Sequence, residues 1–252
     1  MSKEQQQLQQ EREFLDKVYH TYTVDHSAQT MTMRKLIMRT FSPWLRKEGR
    51  GLELGCSDGF MTGMIAGQLG HLDVVDGSEK FLAEARKRNL PNVGFKFALF
   101  EEFTADEKYD CVFASYILEH VLDPVAVMKM ARTVLKPDGL LFIVVPNARA
   151  LSRQLGLHMS LLKGLKELTA NDHNHGHRRV YDRVDLNRDI AAAGFENVSQ
   201  GGIMLKILAD FQMDQLIDNG MLKEPQLDGL YRLGLEYPDL CGSLFSVCRI
   251  AA

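Results

Sequence analysis

The sequence predicts an α/β fold: a doubly wound, mostly parallel seven-stranded sheet with N-terminal helices and a helical insert before the last strand. Five apolar runs between residues 51 and 146 alternate with helical patterns of about 10 to 15 residues, as in parallel sheets. The runs are apolar almost throughout, which is typical of strands that are covered on both faces. Two more strand-like runs, residues 196–206 and 242–250, complete the sheet.

The first five strands are expected, in chain order, at "GLEL", "HLDVVD", "NVGFKFALF", "YDCVFAS" and "LLFIVVP". The helical patterns among them are "FMTGMIAGQL", "SEKFLAEARKRN" and "DPVAVMKMARTVL". In the third of these helices, Asp123 is a suitable N-cap and Pro124 fits the first turn. The signal "KPDG" predicts a turn before the fifth strand, and Gly194 ends a further helix in "DRVDLNRDIAAAGF".

The pattern also suggests how the chain is organised. Residues 1–47 are mostly helical and are expected to form an N-terminal lid, whereas residues 48–252 form the sheet domain. Within that domain, residues 147–180 break the alternation and are the expected substrate loop. Residues 206–239 are too long for a hairpin loop and predict a helical cap. This cap lies either over a site or in a homodimer contact.

Composition narrows the function classes. The chain of 252 residues is 45% hydrophobic and 25% charged, which is ordinary for a soluble globular protein. A net charge of -3 without a dense basic block gives no electrostatic basis for nucleic-acid binding. We expect a cytoplasmic protein outside the membrane, because no apolar run approaches ~20 residues and the start lacks a signal peptide. The four irregularly spaced cysteines predict reduced thiols.

The turn after the first strand, in "GLELGCSDGF", predicts a ligand site. In a doubly wound sheet this turn approaches the ligand closely and needs residues without bulk, which Gly55, Ser57 and Gly59 supply. The dinucleotide fingerprint G-x-G-x-x-G is not met, because Ser57 and Phe60 replace its second and third glycines. An NAD-dependent oxidoreductase is therefore disfavoured.

The alternation Glu53-x-Gly55-x-Ser57-x-Gly59 resembles motif I of the class I S-adenosylmethionine-dependent methyltransferases, which is usually acidic-x-Gly-x-Gly-x-Gly. The second strand ends in Asp76, 23 residues after Glu53, as in that family. The segments "ALFEEF", "YDCVFASYILEHVLDP" and "LKPDGLLFIVVPN" are similar to its next signatures, in the same order. The similarity is strong over residues 48–147 and loose over 177–200, and it implies a Rossmann-like methyltransferase fold.

The resemblance implies S-adenosylmethionine as the cofactor and assigns its binding to Glu53, Gly55, Cys56, Ser57, Gly59, Asp76, Gly77, Leu99, Phe100, Ala114 and Ser115. Asp76 would accept both ribose hydroxyls, Glu53 would receive the ammonium group, and Leu99 with Phe100 would contact adenine. The alternatives are a structural ion pair for Glu53 and a helix-capping role for Asp76. Cys56 is expected to be a small neighbour of the cofactor and not a nucleophile.

Histidines mark the expected acceptor side. His120, in "LEHV", follows the fourth strand at the family's border between cofactor and acceptor, where it is either a base or a structural hydrogen-bonding residue. In "NDHNHGHRRVY", an extended segment would place His173, His175 and His177 on one side. One of these would remove the proton of an alcohol acceptor, since histidine titrates near neutral pH.

The residues that follow, Arg178, Arg179 and Tyr181, are the expected substrate-binding side chains, with the arginines holding an anionic group. A metal site at the histidines, with Asp172 as the nearby carboxylate, and a solvated polar loop are the alternatives. We expect no bound metal.

The leading hypothesis is a methyltransferase that uses S-adenosylmethionine to methylate a hydroxyl of a small polar metabolite or sugar. An anionic group on this acceptor would bind to the arginines. The C-terminal part resembles small-molecule or glycan-modifying enzymes of bacterial biosynthetic clusters. The alternatives are an N-methyltransferase of a small amine and, from another class, a non-catalytic regulatory protein that binds S-adenosylmethionine.

Overall fold

The computed structural model describes residues 3–22 and 27–251, so residues 1–2, 23–26 and 252 of the expected domains lie outside it. Its strands are β1 Arg50–Leu54, β2 His71–Asp76, β3 Val93–Phe97, β4 Tyr109–Ser115, β5 Leu135–Pro146, β6 Phe195–Leu205 and β7 Cys241–Ile250. They form a seven-stranded sheet of order β3-β2-β1-β4-β5-β7-β6. β7 runs antiparallel to both neighbours and the other pairings are parallel, which confirms the predicted mostly parallel sheet.

Ten α-helices occur in the described part of the chain. They are α1 Lys3–Tyr22, α2 Ala28–Phe41, α3 Phe60–Ala66, α4 Glu79–Arg86, α5 Pro124–Val134, α6 Leu151–His158, α7 Ala170–Asn174, α8 Arg183–Ala192, α9 Asp210–Asp218 and α10 Glu224–Glu236. The N-terminal helices are thus α1 and α2, and the helical insert before β7 consists of α9 and α10. No helix in residues 3–22 or 27–251 is long and apolar enough to cross a membrane.

Local signals set most helix ends. The Asp123 side chain accepts a hydrogen bond from the Ala126 amide at 3.0 Å, and Pro124 opens α5, as predicted. Gly194 follows α8 with φ +79°, a conformation that favours glycine. The expected turn at "KPDG" is wrong. Residues 136–139 belong to β5, which begins at Leu135 opposite Tyr109 and continues after a register shift.

Two apolar layers cover the sheet, one on each face. On one face, the ring of Phe41 in α2 lies 4.8 Å from that of Phe142 and 6.2 Å from that of Phe245, centroid to centroid. Phe113 stacks on Phe142 at 5.0 Å. Burial of each such side chain stabilises the fold by about 1.5–3 kcal/mol. On the other face, α5 and α8 contribute buried side chains that include Val127, Met128, Leu186 and Ile190.

The carboxyl ends of β1, β2 and β4 meet where the strand order reverses. α1 lies across this edge, where Leu15 approaches Gly77 after β2 and Phe14 approaches Gly176 after α7. α9 is tied to α2, because Asp214 accepts a hydrogen bond from the Gln29 amide at 2.8 Å. The sheet edge is therefore enclosed by α1, by the insert and by the segment after β5.

Candidate active site

A cavity of about 790 Å³ opens at this edge. All the predicted cofactor residues line it except two, which leaves Glu53, Gly55, Cys56, Ser57, Asp76, Gly77, Leu99, Phe100 and Ser115. The exceptions are Gly59 and Ala114. Ala114 is buried in the apolar layer on the α5 side of β4, so a direct cofactor contact is not supported there.

The turn after β1 is compact because three of its residues take left-handed backbone angles. Gly55, Ser57 and Gly59 have φ +72°, +46° and +71°. For Ser57 this conformation costs roughly 1–2 kcal/mol, as it would for any non-glycine residue. A Cβ on Gly59 would lie 2.8 Å from the Ala85 Cα of α4. Gly59 therefore serves the packing of the turn on α4 and does not line the cavity, whereas the four residues before it do.

Buried polar atoms around the turn lack protein partners. Glu53 Oε2, Ser57 Oγ and Ser115 Oγ have no hydrogen-bond partner among residues 3–22 and 27–251. Burial raises the pKa of Glu53 to about 8. An unpaired buried polar group costs about 1–3 kcal/mol. A ligand with an ammonium group and hydroxyls would satisfy such atoms, so the site fits S-adenosylmethionine.

Asp76 connects the turn to the end of β2. Its carboxylate accepts hydrogen bonds from the Cys56 amide at 3.0 Å and from the Ser78 amide at 2.8 Å. Burial raises the pKa of Asp76 to about 6, and burial also raises that of the Cys56 thiol. Asp76 thus accepts from the residue that precedes α4 and lines the cavity as well. α4 shows no side-chain cap hydrogen bond among the described residues, so the capping alternative is not supported. A protonated thiol at Cys56 is no nucleophile.

The expected adenine end is apolar. Leu99 is buried and Phe100 follows it at the cavity wall. A Cβ on Gly77 would lie 2.6 Å from Leu99 Cδ2 and 2.7 Å from Leu15 Cδ1. The absence of a side chain at Gly77 thus lets α1 approach the end of β2, with Leu15 and Leu99 on either side of it.

The three clustered histidines do not share one side. Residues 170–174 form α7 instead of an extended segment, and a Thr169–Asp172 capping box starts this helix. Spacing of i, i+2 on a helix turns side chains apart, so His173 is exposed and does not line the cavity. His175 and His177 do line it, with ring centroids 6.1 Å apart. The expectation of a three-histidine face is therefore wrong.

Asp172 orients His177. His177 Nδ1 donates to Asp172 Oδ1 at 3.0 Å, while Thr169 Oγ1 and Arg153 hold Oδ2 at 2.7 and 3.2 Å. Burial alone would raise the pKa of Asp172, but the hydrogen bonds from His177 and Thr169, with the charge of Arg153, hold it well below its usual range. The ionised Asp172 therefore fixes the tautomer of His177, with the lone pair on Nε2. The motif "TANDH" signals this capping box in the sequence.

His120 and Glu119 join His177 from the loop after β4. The His120 and His177 rings are 4.8 Å apart, and His120 Nδ1 donates to the Gly176 carbonyl at 3.4 Å. Burial lowers the pKa of His120 to about 3 and raises that of Glu119 to about 8. Neither carboxylate oxygen of Glu119 has a hydrogen-bond partner in the described ranges. One ligand atom each of Glu119, His120 and His177 lies within 4.8 Å of the others, a set that is able to hold a metal ion.

The predicted substrate-binding residues do not line the cavity. Arg178 donates to both carboxylate oxygens of Glu11 and to the His120 carbonyl. Arg179 donates to backbone carbonyls of the loop after β4 at 118, 121 and 122. Tyr181 is buried and donates to Asp189 at 3.2 Å. These side chains join elements together, and their predicted contact with an acceptor is corrected accordingly.

Other cavity residues escaped the sequence prediction. Tyr116 has φ +57° and its hydroxyl lies 2.8 Å from Ser243 Oγ. Lys206 follows β6, pairs with Asp210 at the start of α9, and has its pKa lowered to about 8 by burial. Local spacing gives no signal for Tyr116, Ser243 and Lys206, because they come from three separate parts of the chain.

A sequence model of a family described as a methyltransferase domain matches residues 25–200. The chain is 27% identical over 196 residues to a ubiquinone biosynthesis O-methyltransferase of Idiomarina loihiensis, over 75% of this chain and 74% of that protein. Identity to the mitochondrial ubiquinone biosynthesis O-methyltransferase of Bos taurus is 34% over 118 residues, 43% of this chain and 32% of that protein.

A similar fold occurs in the N-methyltransferase NodS from Bradyrhizobium japonicum WM9, in complex with S-adenosyl-L-homocysteine. The TM-score is 0.59 at 13% identity, over 94% of this chain and 100% of that chain. The family match extends over more than half of the sequence and includes the turn after β1. The chain therefore belongs to the methyltransferase domain family and is an S-adenosylmethionine-dependent methyltransferase.

Proposed function

We propose that this enzyme methylates a hydroxyl group of a small polar metabolite or sugar. The observation that carries the proposal is the Asp172–His177 pair, which borders the same cavity as the cofactor turn. A hydroxyl must lose its proton during transfer, whereas an amine has less need of a base. The name of the Idiomarina relative, an O-methyltransferase, supports the same choice.

The residues suggest how transfer proceeds. S-adenosylmethionine, when bound, supplies a methyl group on a positively charged sulfur, which keeps the electron pair of the broken carbon–sulfur bond. His177 Nε2 takes the proton of the acceptor hydroxyl as the new oxygen–carbon bond forms. Asp172 stabilises the resulting imidazolium through Nδ1. The cavity positions the two reactants next to each other, which supplies much of the acceleration.

We infer that α1 acts as a lid and the insert as a cap. Glu11, Phe14, Leu15 and Val18 of α1 line the cavity, and so do residues 209–211 at the start of the insert. Several residues between 147 and 172 line it as well, which supports the proposed substrate loop. A homodimer through the insert and a cytoplasmic location remain predictions.

A metal-assisted form of the same reaction is the second candidate, although the sequence predicted no metal. Glu119 is fully buried, and its carboxylate has no hydrogen-bond partner in residues 3–22 or 27–251. With His120 and His177 it forms a two-imidazole, one-carboxylate set, which suits a divalent transition-metal ion. A cation there would ligate the acceptor oxygen and favour its ionisation. Elemental analysis of the purified enzyme distinguishes the two forms, and bound metal at one per chain supports the second.

The base is tested with the variant His177→Ala and a panel of hydroxyl and amine acceptors. We expect S-adenosylhomocysteine production from a hydroxyl acceptor to fall by about 10²–10⁴-fold. The matched control is His173→Ala, which removes an exposed histidine of the same segment that does not line the cavity. This change should leave turnover unchanged. Unchanged turnover by His177→Ala, or turnover with amines alone, would overturn the proposal. Calorimetry with S-adenosylhomocysteine verifies that the cofactor site is intact.

A further inference from the structure

Three Lys or Arg side chains line the cavity within the described ranges: Arg34, Arg153 and Lys206. Arg34 pairs with Asp58, whose side chain is 7% exposed, and Arg153 pairs with Asp172, whose side chain is 9% exposed. Both arginines are thus held by partners inside the protein. Lys206 is itself 9% exposed, but its partner Asp210 is 56% exposed. Only the Lys206 pair therefore joins a buried cation to a carboxylate that solvent reaches.

The surroundings of Lys206 hold its charge in place. Its aliphatic stem crosses Gly242 of β7, where a Cβ would lie 3.1 Å from Lys206 Cε. Two residues earlier, Met204 has φ +56° inside β6, a left-handed conformation that is unfavourable for residues other than glycine. The strand ends at Leu205, and Lys206 lines the cavity directly after it. Strain of this kind is found where a side chain is placed for a function.

Asp210 is a replaceable partner. An ammonium group has three donors, and one carboxylate does not use all of them. An ion pair with an exposed partner contributes little to stability, whereas a buried cation without an anion is costly. The charge of Asp214 also acts on Lys206 and stays in place, since Asp214 is bonded to the Gln29 amide. An acceptor anion that entered the cavity would therefore need to replace only Asp210. Asp210 would turn to solvent at the start of α9, where its charge remains favourable.

We propose that Lys206 is the binding site for an anionic group of the methyl acceptor, a carboxylate or a phosphate, and that Asp210 occupies this site in the absence of acceptor. The inference rests on the proposed function for the identity of the ligand as an acceptor. It replaces Arg178 and Arg179 as the anion-binding residues, since both are bonded elsewhere. The neighbouring hydroxyls of Tyr116 and Ser243 give the cavity further polar contacts for the same molecule.

Binding of simple probes tests the site without turnover. Benzoate, phenyl phosphate and neutral benzyl alcohol are titrated into the enzyme saturated with S-adenosylhomocysteine, and affinity is measured by NMR line broadening or calorimetry. We expect Lys206→Met to weaken binding of the better anion at least about tenfold, since it removes a charged hydrogen-bond donor. Asp210→Asn should tighten it several-fold, because the competing carboxylate is gone. Benzyl alcohol should respond to neither change.

Controls separate this site from the fold and from the reaction. Lys223→Met removes a lysine of the same insert that does not line the cavity, and it should bind the anions like the parent enzyme. Lys206→Arg should restore binding, and unchanged S-adenosylhomocysteine affinity shows that each variant is folded. Equal anion binding by Lys206→Met and the parent, or no anion binding by the parent and Asp210→Asn alike, overturns the inference. The His177→Ala experiment fails or succeeds independently, because it measures turnover.

Discussion

Arg178 Nη2 donates to both carboxylate oxygens of Glu11, at 2.9 and 3.0 Å. This ion pair joins the segment after α7 to α1. The same guanidinium donates through Nε to the His120 carbonyl at 2.6 Å and lies 4.5 Å from the centre of the Phe14 ring. One side chain thus connects the proposed lid, the loop after β4 and the loop that carries His177. Docking of α1 and alignment of the two histidines are therefore coupled through Arg178.

Loss of this pair should open the lid. In Glu11→Gln the charge is removed while the shape is kept, and a half-buried charged pair of this kind contributes about 1 kcal/mol. We expect S-adenosylhomocysteine to bind about fivefold more weakly by calorimetry, and the difference from the parent should shrink in high salt. Lys17→Gln, an exposed change on the same helix, is the control. Equal affinity for Glu11→Gln and the parent would remove α1 from the cofactor site.

Asp76 should be essential for cofactor binding. Asp76→Ala removes the acceptor of the Cys56 and Ser78 amides and the carboxylate at the cavity wall. Charged hydrogen bonds contribute about 1.5–3 kcal/mol, so we expect the affinity for S-adenosylhomocysteine to fall roughly 10- to 100-fold in calorimetry. Asp138→Asn, an exposed aspartate, serves as the control. Retained affinity would show that Asp76 only shapes the turn.

Asp172 is expected to act as a positioning residue for His177. Asp172→Asn keeps the size of the side chain but removes the charge that stabilises the imidazolium, so kcat should fall about tenfold or more. The KM for the acceptor should change less than kcat, because Asp172 acts on proton transfer through His177 and not on the bound acceptor. Asp218→Asn on the exposed surface of α9 should change neither quantity. A lowered thermal stability with an unchanged kcat would indicate a purely structural role.

The buried carboxyl group of Glu119 should make the unfolding free energy of the enzyme depend on pH. Its pKa is raised to about 8 by burial, against about 4.3 when unfolded, so the folded chain binds the extra proton between those values. This contribution is fully present below the unfolded pKa and is lost as the pH rises through about 8. We expect Glu119→Gln, which resembles the protonated form, to flatten the decline in unfolding free energy between pH 6.5 and 8.5 in urea titrations of metal-free enzyme.

Exposed Glu236→Gln is the control for that titration, and its stability should follow the parent at each pH. A slope for Glu119→Gln equal to that of the parent would show that Glu119 is ionised throughout this range. Such a result would favour a solvated carboxylate at this position.

The cofactor half of the site could be predicted from sequence because its signals are local. The turn needs Gly55 for its left-handed backbone, and Asp76 follows at the distance that one helix and one strand require. Apolar runs of strand length identify the buried sheet, since only strands covered on both faces tolerate them. Sequence motifs also suggested Gly59 and Ala114 as cofactor residues, although neither lines the cavity. They belong to the right motifs but face α4 and the apolar layer.

The acceptor half depended on contacts between distant parts of the chain. Helix α7 turned His173 to solvent, and Gly176 brought the loop against His120, far earlier in the sequence. Arg178 and Arg179 are sequence neighbours of the site, yet they bond to Glu11 and to the loop after β4.

By itself, then, the sequence determined the sheet, its winding and the compact turn after β1, because backbone conformation and strand burial follow from neighbouring residues. Only the tertiary structure decided which polar side chains share the cavity. Asp172 and His177 are only five residues apart in the chain. Glu119 and Lys206, in contrast, reach the cavity from the ends of different strands, so no spacing along the chain predicts that they line it together.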